Sequence, residues 1–168
     1  ISDDTNSKMH GHGFALLALA EACGNLAPHD ARRTRDRIAS GVSPGSLRLA
    51  EQVQWAVVRA AECTQRAQDR ETGGWSYVPT EAGHEGSMTV TQIEALRAAR
   101  NAGVRVDAAV VRRAEDYVRR SQNRANPKLR GGFAYMVTLP ERVSYGLTAA
   151  ALTTFFGLGR YGDDQRDA

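Results

Sequence analysis

Hydrophobic positions recur along the chain at helical spacing, and they divide it into two kinds of helix. One kind is rich in small apolar residues and is stopped by glycine, at 11–23, 87–102 and about 144–158. The other kind, at 46–68 and 107–122, carries one apolar stripe with Arg and Glu opposite. A helix that is apolar on most sides is buried, whereas an amphipathic helix keeps one face in solvent. The pattern therefore predicts an all-α fold with buried and half-exposed helices.

Several expectations about individual segments follow from the same pattern. The stripe of the helix at 46–68 comprises Leu49, Val53, Ala56, Val57, Ala60, Cys63 and Ala67. Asp107 is expected to cap the helix that follows it, because its carboxylate can accept from free N–H groups. An Arg-rich helix is predicted over 28–41, and residues 1–10 are predicted to be irregular. The run 133–139, "FAYMVTL", is the one segment that could pair briefly as a strand.

Two loops contain similar residues in the same order. Residues 68–77 read "QDRETGGWSY", and residues 122–135 read "QNRANPKLRGGFAY". The glutamines lie 54 positions apart, the second glycines 58, and the Ala-Leu pairs at 95–96 and 151–152 lie 56 apart. Self-similarity at such a spacing indicates an internal structural repeat.

The first loop resembles the QW motif of the prenyltransferase and squalene cyclase repeat family. The repeat positions are Gln68, Gly73, Gly74 and Trp75, and in the degenerate copy Gln122, Gly131, Gly132 and Phe133. The helix "SMTVTQIEALRAARNAG" resembles the inner helix after the motif, and "HGFALLALAEACG" resembles that of an earlier repeat. The resemblance covers about 11–159. It implies an α/α toroid of helical hairpins, with inner and outer helices, in which the motif is a structural turn.

About three such units are present, whereas a closed ring in this family takes more. We therefore expect a single domain over 1–168 that forms a partial ring and belongs to a longer chain. The first unit carries about 21 extra residues relative to the others. The end helices of such an arc are expected to expose apolar surface, which favours completion by further repeats or by a second copy.

The position of the family's catalytic acids is largely altered here. Its cyclases carry Asp-x-Asp-Asp-Thr at the start of an inner helix, and "EGSM" at 85–88 aligns there. Glu85 is the one remaining acid, while Ser87 and Met88 replace the two central aspartates. The "SDDT" at 2–5 is out of register with a helix start. The resemblance thus implies a non-catalytic binding or scaffold module. The alternative is a terpenoid or isoprenoid cyclase, or a prenyltransferase-type enzyme, with an apolar central cavity.

Polar residues near the starts of the small apolar helices form a second candidate site. If these helices run parallel, their N-termini share one pole, which would gather His10, His12, His84, Glu85 and Tyr145. Helix N-termini favour anions, and His and Glu side chains can hold metal ions. The competing interpretation is a polar loop face with unrelated solvated residues.

Composition and charge limit the partners. The chain is 42% hydrophobic and 24% charged, which is ordinary for a globular protein. Its net charge of +3 is mild, and the Arg cluster at 32–37 has no aromatic residue within it, so no nucleic-acid partner is expected. No apolar run approaches the roughly 18 residues of a membrane helix. We expect no signal peptide within these residues, and the sequence leaves the compartment open.

The two cysteines do not form a metal-binding pattern. Cys23 and Cys63 lie in helical patterns, and neither has Asp and His beside it at ligand-like spacing. We therefore expect free thiols, no zinc site and no cofactor. An apolar small molecule and a second copy of the chain are the partners that the sequence suggests.

Overall fold

The computed structural model describes residues 7–25, 36–37, 39–43, 45 and 47–157. In chain order these residues form α1 (Lys8–Asn25), α2 (Leu49–Arg66), α3 (Gly86–Asn101), α4 (Ala108–Ser121), β1 (Ala134–Met136), β2 (Leu139–Val143) and α5 (Tyr145–Gly157). The predicted helical class is confirmed for this part of the chain. Most of the predicted helix at 28–41 lies outside the described residues, which include 36–37 and 39–41 of it, and the "SDDT" segment lies wholly outside them.

A small antiparallel hairpin departs from a purely helical fold. Ala134 pairs with Val143 and Met136 with Leu139, with an irregularity between the two pairs. The prediction anticipated brief pairing within 133–139 but missed the strand residues 140–143. Pro140, Glu141 and Arg142 are polar or helix-breaking, so no strand-like apolar run marks them.

Three helices form one layer of the fold. α3 lies in the middle and packs against α1 on one side and α5 on the other. The Ser7 hydroxyl donates to Met88 Sδ at 3.9 Å, and a Cβ on Gly86 would lie 3.3 Å from Leu147 Cδ2. Because Ser7, Gly86 and Leu147 all lie at or near helix starts, the N-terminal ends of α1, α3 and α5 meet at the same end of this layer.

The two remaining described helices form a second layer. α2 packs against α1 and α3, and α4 packs against α3 and β1. The side-chain oxygen of Gln65 at the end of α2 accepts from Asp107 N at 2.8 Å, at the start of α4. The Asp107 carboxylate accepts from Ala109 N at 2.8 Å, which confirms the predicted cap. The end of α2 thus lies beside the start of α4 within the second layer.

The core lies between the two layers. Its largest fully buried side chains include Trp75, Tyr117, Phe133, Met9 and Leu16. α3 is buried on most sides, as the density of small apolar residues predicts. In α4 the predicted stripe is correct for Val110, Ala114, Tyr117 and Val118, all of which are buried.

The predicted stripe of α2 is partly wrong. Leu49 is 75% exposed, and the residues that face the core are Gln54, Val57, Val58, Ala61 and Thr64. Of the other predicted residues, Val57 is buried and the remaining five are partly buried. The helix is rotated because Thr64 has hydrogen-bond partners in the interior, which a count of apolar positions ignores.

Helix starts also differ from expectation. α1 begins at Lys8, so His10 and His12 lie within this helix and not before it.

Among the helices that the structure describes, none combines the length and apolar character needed to cross a membrane.

Candidate functional site

The Gln68 side chain joins the first repeated loop to α4. Its Nε2 donates to Gly73 O and to Val110 O, both at 2.9 Å, while its Oε1 accepts from Arg113 Nε at 2.9 Å. The side chain is buried. One of its three hydrogen bonds reaches the turn itself, and the other two reach α4. One amide therefore fixes the loop after α2 against the neighbouring helix of the same layer.

The two glycines of this loop are required by close contacts. Gly73 has φ +83°, and a Cβ there would lie 2.2 Å from Arg113 O. A Cβ on Gly74 would lie 2.8 Å from Tyr117 Cε2 and 2.8 Å from His84 Cβ. Real side chains do not tolerate such distances, so the loop can approach α4 this closely only with glycine at both positions.

Trp75 anchors the loop in the core. Its indole Nε1 donates to Thr64 O at 2.8 Å, near the end of α2, where helix carbonyls lack intrahelical partners. Its backbone N donates to Thr89 Oγ1 at 3.2 Å, and its carbonyl accepts from Glu85 N at 3.0 Å. The same residue thus connects the end of α2 to the first turn of α3.

The second loop makes the same backbone bonds as the first. Asp69 exchanges two backbone hydrogen bonds with the glycine pair of the first loop, at 2.9 and 3.0 Å. Asn123 exchanges the corresponding two bonds with Gly131 and Gly132, at 2.9 and 2.7 Å. Phe133 N donates to Thr148 Oγ1 at 3.0 Å, as Trp75 N does to its own threonine. The repetition in the sequence therefore corresponds to a repeated turn in the structure.

These bonds also set the register of the repeat. Thr89 and Thr148 accept equivalent bonds, and both donate their hydroxyls to a carbonyl four residues earlier, that of Glu85 or Ser144. The offset is therefore 59 positions, and the alignment on Ala-Leu pairs, at 56, is wrong by three. Three residues amount to nearly one helical turn, so a shifted alignment still matches apolar positions.

Gln122 is the member of the repeat that differs. Its side-chain oxygen accepts from Arg124 Nε at 3.1 Å, on the exposed side of the loop. Within the described residues no further helix stands against it as α4 stands against Gln68. The glutamine is thus repeated in sequence, but its bridging role is seen only in the first copy.

Glu85 caps the start of α3. Its Oε1 accepts from Ser87 N at 2.9 Å, and its Oε2 accepts from Met88 N at 3.0 Å and from the Ser87 hydroxyl. The side chain is buried. Ser144, its equivalent in the second unit, also caps its helix, since Ser144 Oγ accepts from Leu147 N at 3.1 Å. In both units this position satisfies N–H groups at the helix start.

His84 is paired with a buried tyrosine of α4. Its Nδ1 lies 3.1 Å from the Tyr117 hydroxyl, and the two rings meet edge to face at 5.4 Å. Burial lowers the pKa of His84, although the charges of Asp69 and Glu85 oppose that shift. Burial likewise raises the pKa of the Tyr117 phenol. Both groups are therefore held in their neutral forms, as an interior hydrogen-bonded pair requires.

His12 belongs to a polar chain in the interior. Its Nε2 lies 3.1 Å from Thr64 Oγ1 and 3.2 Å from Ala60 O. Thr64 donates to Gln92 Oε1 at 3.3 Å, and Gln92 Nε2 donates to Met9 O at 2.7 Å. Because the Thr64 hydrogen is used toward Gln92, the proton of the imidazole is assigned to Nε2. Burial lowers the pKa of His12, which favours this neutral ring.

The remaining pole candidates lie in other surroundings. His10 is partly exposed and stacks on Phe14, with ring centroids 5.3 Å apart. Tyr145 is 97% exposed at the start of α5. The five predicted residues thus share one end of the helix layer only in part: His12 turns inward to α2, His84 to α4, and Glu85 caps its own helix.

Sequence reasoning missed a tyrosine pair at this end of the layer. The hydroxyls of Tyr77 and Tyr135 form a hydrogen bond, and this bond raises the pKa of Tyr77. The guanidinium of Arg142 lies over the Tyr135 ring, 5.5 Å from its centroid. Each tyrosine is the last residue of its copy of the repeated motif, and the two lie 58 positions apart. Their equivalent places in the repeat are the sequence signal that could have paired them.

Metal chemistry finds no support in the described part of the chain. There, no three His, Cys, Asp or Glu side chains are grouped closely enough to hold a metal ion. Cys23 and Cys63 are free and partly buried, and burial raises the pKa of the Cys23 thiol.

Comparisons with known proteins identify no relative. No family model, no curated protein and no solved structure matches the chain.

Proposed function

We propose that the chain is a non-catalytic helical-repeat module of the α/α-toroid type, which forms part of a ring and serves as a binding scaffold. Two units, each made of a second-layer helix, a glycine turn and a first-layer helix, support this proposal. The turns share backbone bonds, and the first-layer helices start at one end of the layer. In this arrangement α1, α3 and α5 would be inner helices, and α2 and α4 outer helices.

The cap made by Glu85 is the observation that carries the non-catalytic assignment. An acid that protonates an alkene or epoxide must present a proton to the substrate. Both carboxylate oxygens of Glu85 instead accept hydrogen bonds from the first turn of α3. The second unit has Ser144 in this role, and a serine cannot serve as such an acid. The shared property of this position is helix capping.

Apolar side chains on the end helices favour a binding role. Phe14 of α1 and Leu152 of α5 are exposed, although both helices carry small apolar residues typical of interior packing. Exposed apolar side chains concentrated on packing helices mark surfaces that a partner covers.

The enzymatic alternative can be tested directly. The purified chain is incubated with isoprenoid diphosphates and with a polyene epoxide, and products are sought by mass spectrometry. We expect no turnover above the no-protein blank for the wild type and for Glu85→Gln alike. Product that forms with the wild type and disappears with Glu85→Gln would overturn the proposal in favour of a cyclase-type enzyme.

A matched pair of variants tests the capping role separately. Glu85→Ser installs the residue of the second unit and should retain most of the stability. Glu85→Ala removes the cap and should cost about 1 kcal/mol of unfolding free energy. Equal stability of Glu85→Ala and the wild type would contradict the role assigned to the cap.

A further inference from the structure

The segment 76–84 connects the glycine turn of the first unit to the start of α3. Its residues are exposed or half-buried except for His84, which is buried at 9% exposure. Near the beginning of the segment, Tyr77 O accepts from Met9 N of α1 at 2.9 Å. Near its end, Gly83 N donates to Asp69 Oδ2 at 3.2 Å. The segment is thus attached mainly near its two ends, and His84 is the side chain that it places in the interior.

The ring of His84 is enclosed by the glycine turn and α4. Its Nδ1 lies 3.1 Å from the Tyr117 hydroxyl. A Cβ on Gly74 would lie 2.8 Å from both His84 Cβ and Tyr117 Cε2, so the two side chains close directly on the turn. An enclosed imidazole loses water contacts that its charged form needs more than its neutral form does. Burial accordingly lowers the pKa of His84.

The charges around this ring do not provide a partner for an imidazolium. Asp69 in the turn and Glu85 at the start of α3 favour the charged ring, Arg120 of α4 opposes it, and Tyr117 is neutral. Both carboxylates are already engaged. Asp69 accepts from backbone N–H groups of its loop at 2.7 to 3.2 Å, and Glu85 caps α3 with both oxygens. Neither can turn to a charged His84 without giving up such a bond.

The second unit shows that this place does not require an ionisable residue. The residue directly before the helix cap is His84 in the first unit and Val143 in the second. A Cβ on Gly132 would lie 2.4 Å from Val143 Cγ1, just as one on Gly74 would meet the Cβ of His84. The same turn is therefore closed by a valine in one unit and by a histidine in the other. The histidine adds a response to protons that packing alone does not need.

We propose that the segment 76–84 is an acid-released strap, which the neutral ring of His84 holds against α4 and which detaches when that ring is protonated. The imidazolium is better solvated by water than by the enclosed site, so protonation favours the open strap. Tyr77 on the strap also bonds Met9 of α1 and Tyr135 of the hairpin. Release therefore loosens the joint between α1 and the two repeated units.

The size of the effect follows from proton linkage. In the open strap the pKa of His84 has its ordinary value of 6.5, whereas in the closed strap it is lower. The closed form thus binds fewer protons than the open form below pH 6.5, and the equilibrium constant for opening rises as the pH falls. Between about pH 7.5 and about pH 5.5 this constant should rise by at most about tenfold.

Hydrogen–deuterium exchange followed by mass spectrometry at these two pH values tests the strap, with rates corrected for the intrinsic pH dependence of exchange. Peptides that cover 76–84 report local opening, and peptides from α3 report global opening. His84→Val installs the residue of the second unit and should keep the strap closed at both pH values. His12→Gln is the matched control, because it removes a buried histidine outside the strap. In the wild type and in His12→Gln, protection of 76–84 should fall by up to about tenfold, and by more than that of α3.

Three results of this experiment would overturn the inference. They are a wild type with equal protection of 76–84 at both pH values, a His84→Val protein that loses as much protection as the wild type, and a loss at 76–84 no larger than that in α3. A nuclear magnetic resonance titration of the His84 ring in the wild type covers the case in which the valine variant does not fold. A midpoint at or above 6.5 would also contradict the proposal, because the closed strap would then favour the charged ring.

Discussion

Replacing Gln68 by Ala should destabilise the fold, whereas the same change at Gln122 should have little effect. The two residues occupy the same place in the repeated motif and are equally suited to a helix end. Gln68 is buried and makes three hydrogen bonds, to Gly73, Val110 and Arg113. Gln122 is only partly buried and has one exposed bond, to Arg124. Comparing the two variants therefore separates the effect of the glutamine's place in the motif from the effect of its tertiary contacts.

The magnitude follows from the bonds removed. Each of the two bonds that Gln68 donates to a carbonyl contributes about 1 kcal/mol, and the bond from Arg113 adds a similar amount because that arginine is partly exposed. The carbonyl of Val110 lies in α4, where it can still accept an intrahelical hydrogen bond. Removing the bond from Gln68 therefore does not incur the full desolvation penalty of an unsatisfied carbonyl. We expect a total of about 2 to 3 kcal/mol for Gln68→Ala and less than about 0.5 kcal/mol for Gln122→Ala.

Urea denaturation, followed by circular dichroism at the helical band and by tryptophan fluorescence, measures both variants. Coincidence of the two probes tests whether unfolding is a single transition, which the free-energy comparison requires. The midpoint should fall for Gln68→Ala with an unchanged slope. If the two variants lose the same free energy to within about 0.5 kcal/mol, the bridging role assigned to Gln68 is wrong.

The remaining predictions concern a glycine and a buried histidine. Gly73→Ala should lower stability by clearly more than Gly41→Ala, because both positions have positive φ but only the first would place a Cβ against a backbone atom, Arg113 O; equal losses in urea midpoint would refute the contact argument. The pKa of His12 is lowered on folding, so the unfolded chain binds more protons than the folded chain below the ordinary value of 6.5. Stability should therefore fall as pH is lowered from about 7 to 5, and His12→Gln should reduce this slope, while His84 sustains part of it. A pH profile of the urea midpoint that His12→Gln leaves unchanged would contradict this assignment.

Much of the fold could be predicted from periodicity because helix formation is local. Periodicity predicts the helices at 87–102 and 107–122 to within one or two residues, and the position of Asp107 alone predicts its capping role. The stripe of α2 failed because Thr64 and Gln54 are buried despite their polarity. Their side of the helix faces an interior in which Thr64 is paired, and those partners lie far away in the chain.

The candidate site was less predictable than the turn that precedes it. The sequence by itself determined that two glycine turns repeat and that Glu85 is the one acid in the run 85–88, since both properties lie in short runs of residues. Only the tertiary structure decided that Glu85 caps α3, that His12 points to α2 and that Gln122 does not repeat the bridge of Gln68. The bonds of His12 to Thr64 and of Gln92 to Met9 span 52 and 83 positions. Such contacts depend on how the helix layers pack, because a hydrogen bond requires two groups within about 3 Å, and no local pattern specifies that distance.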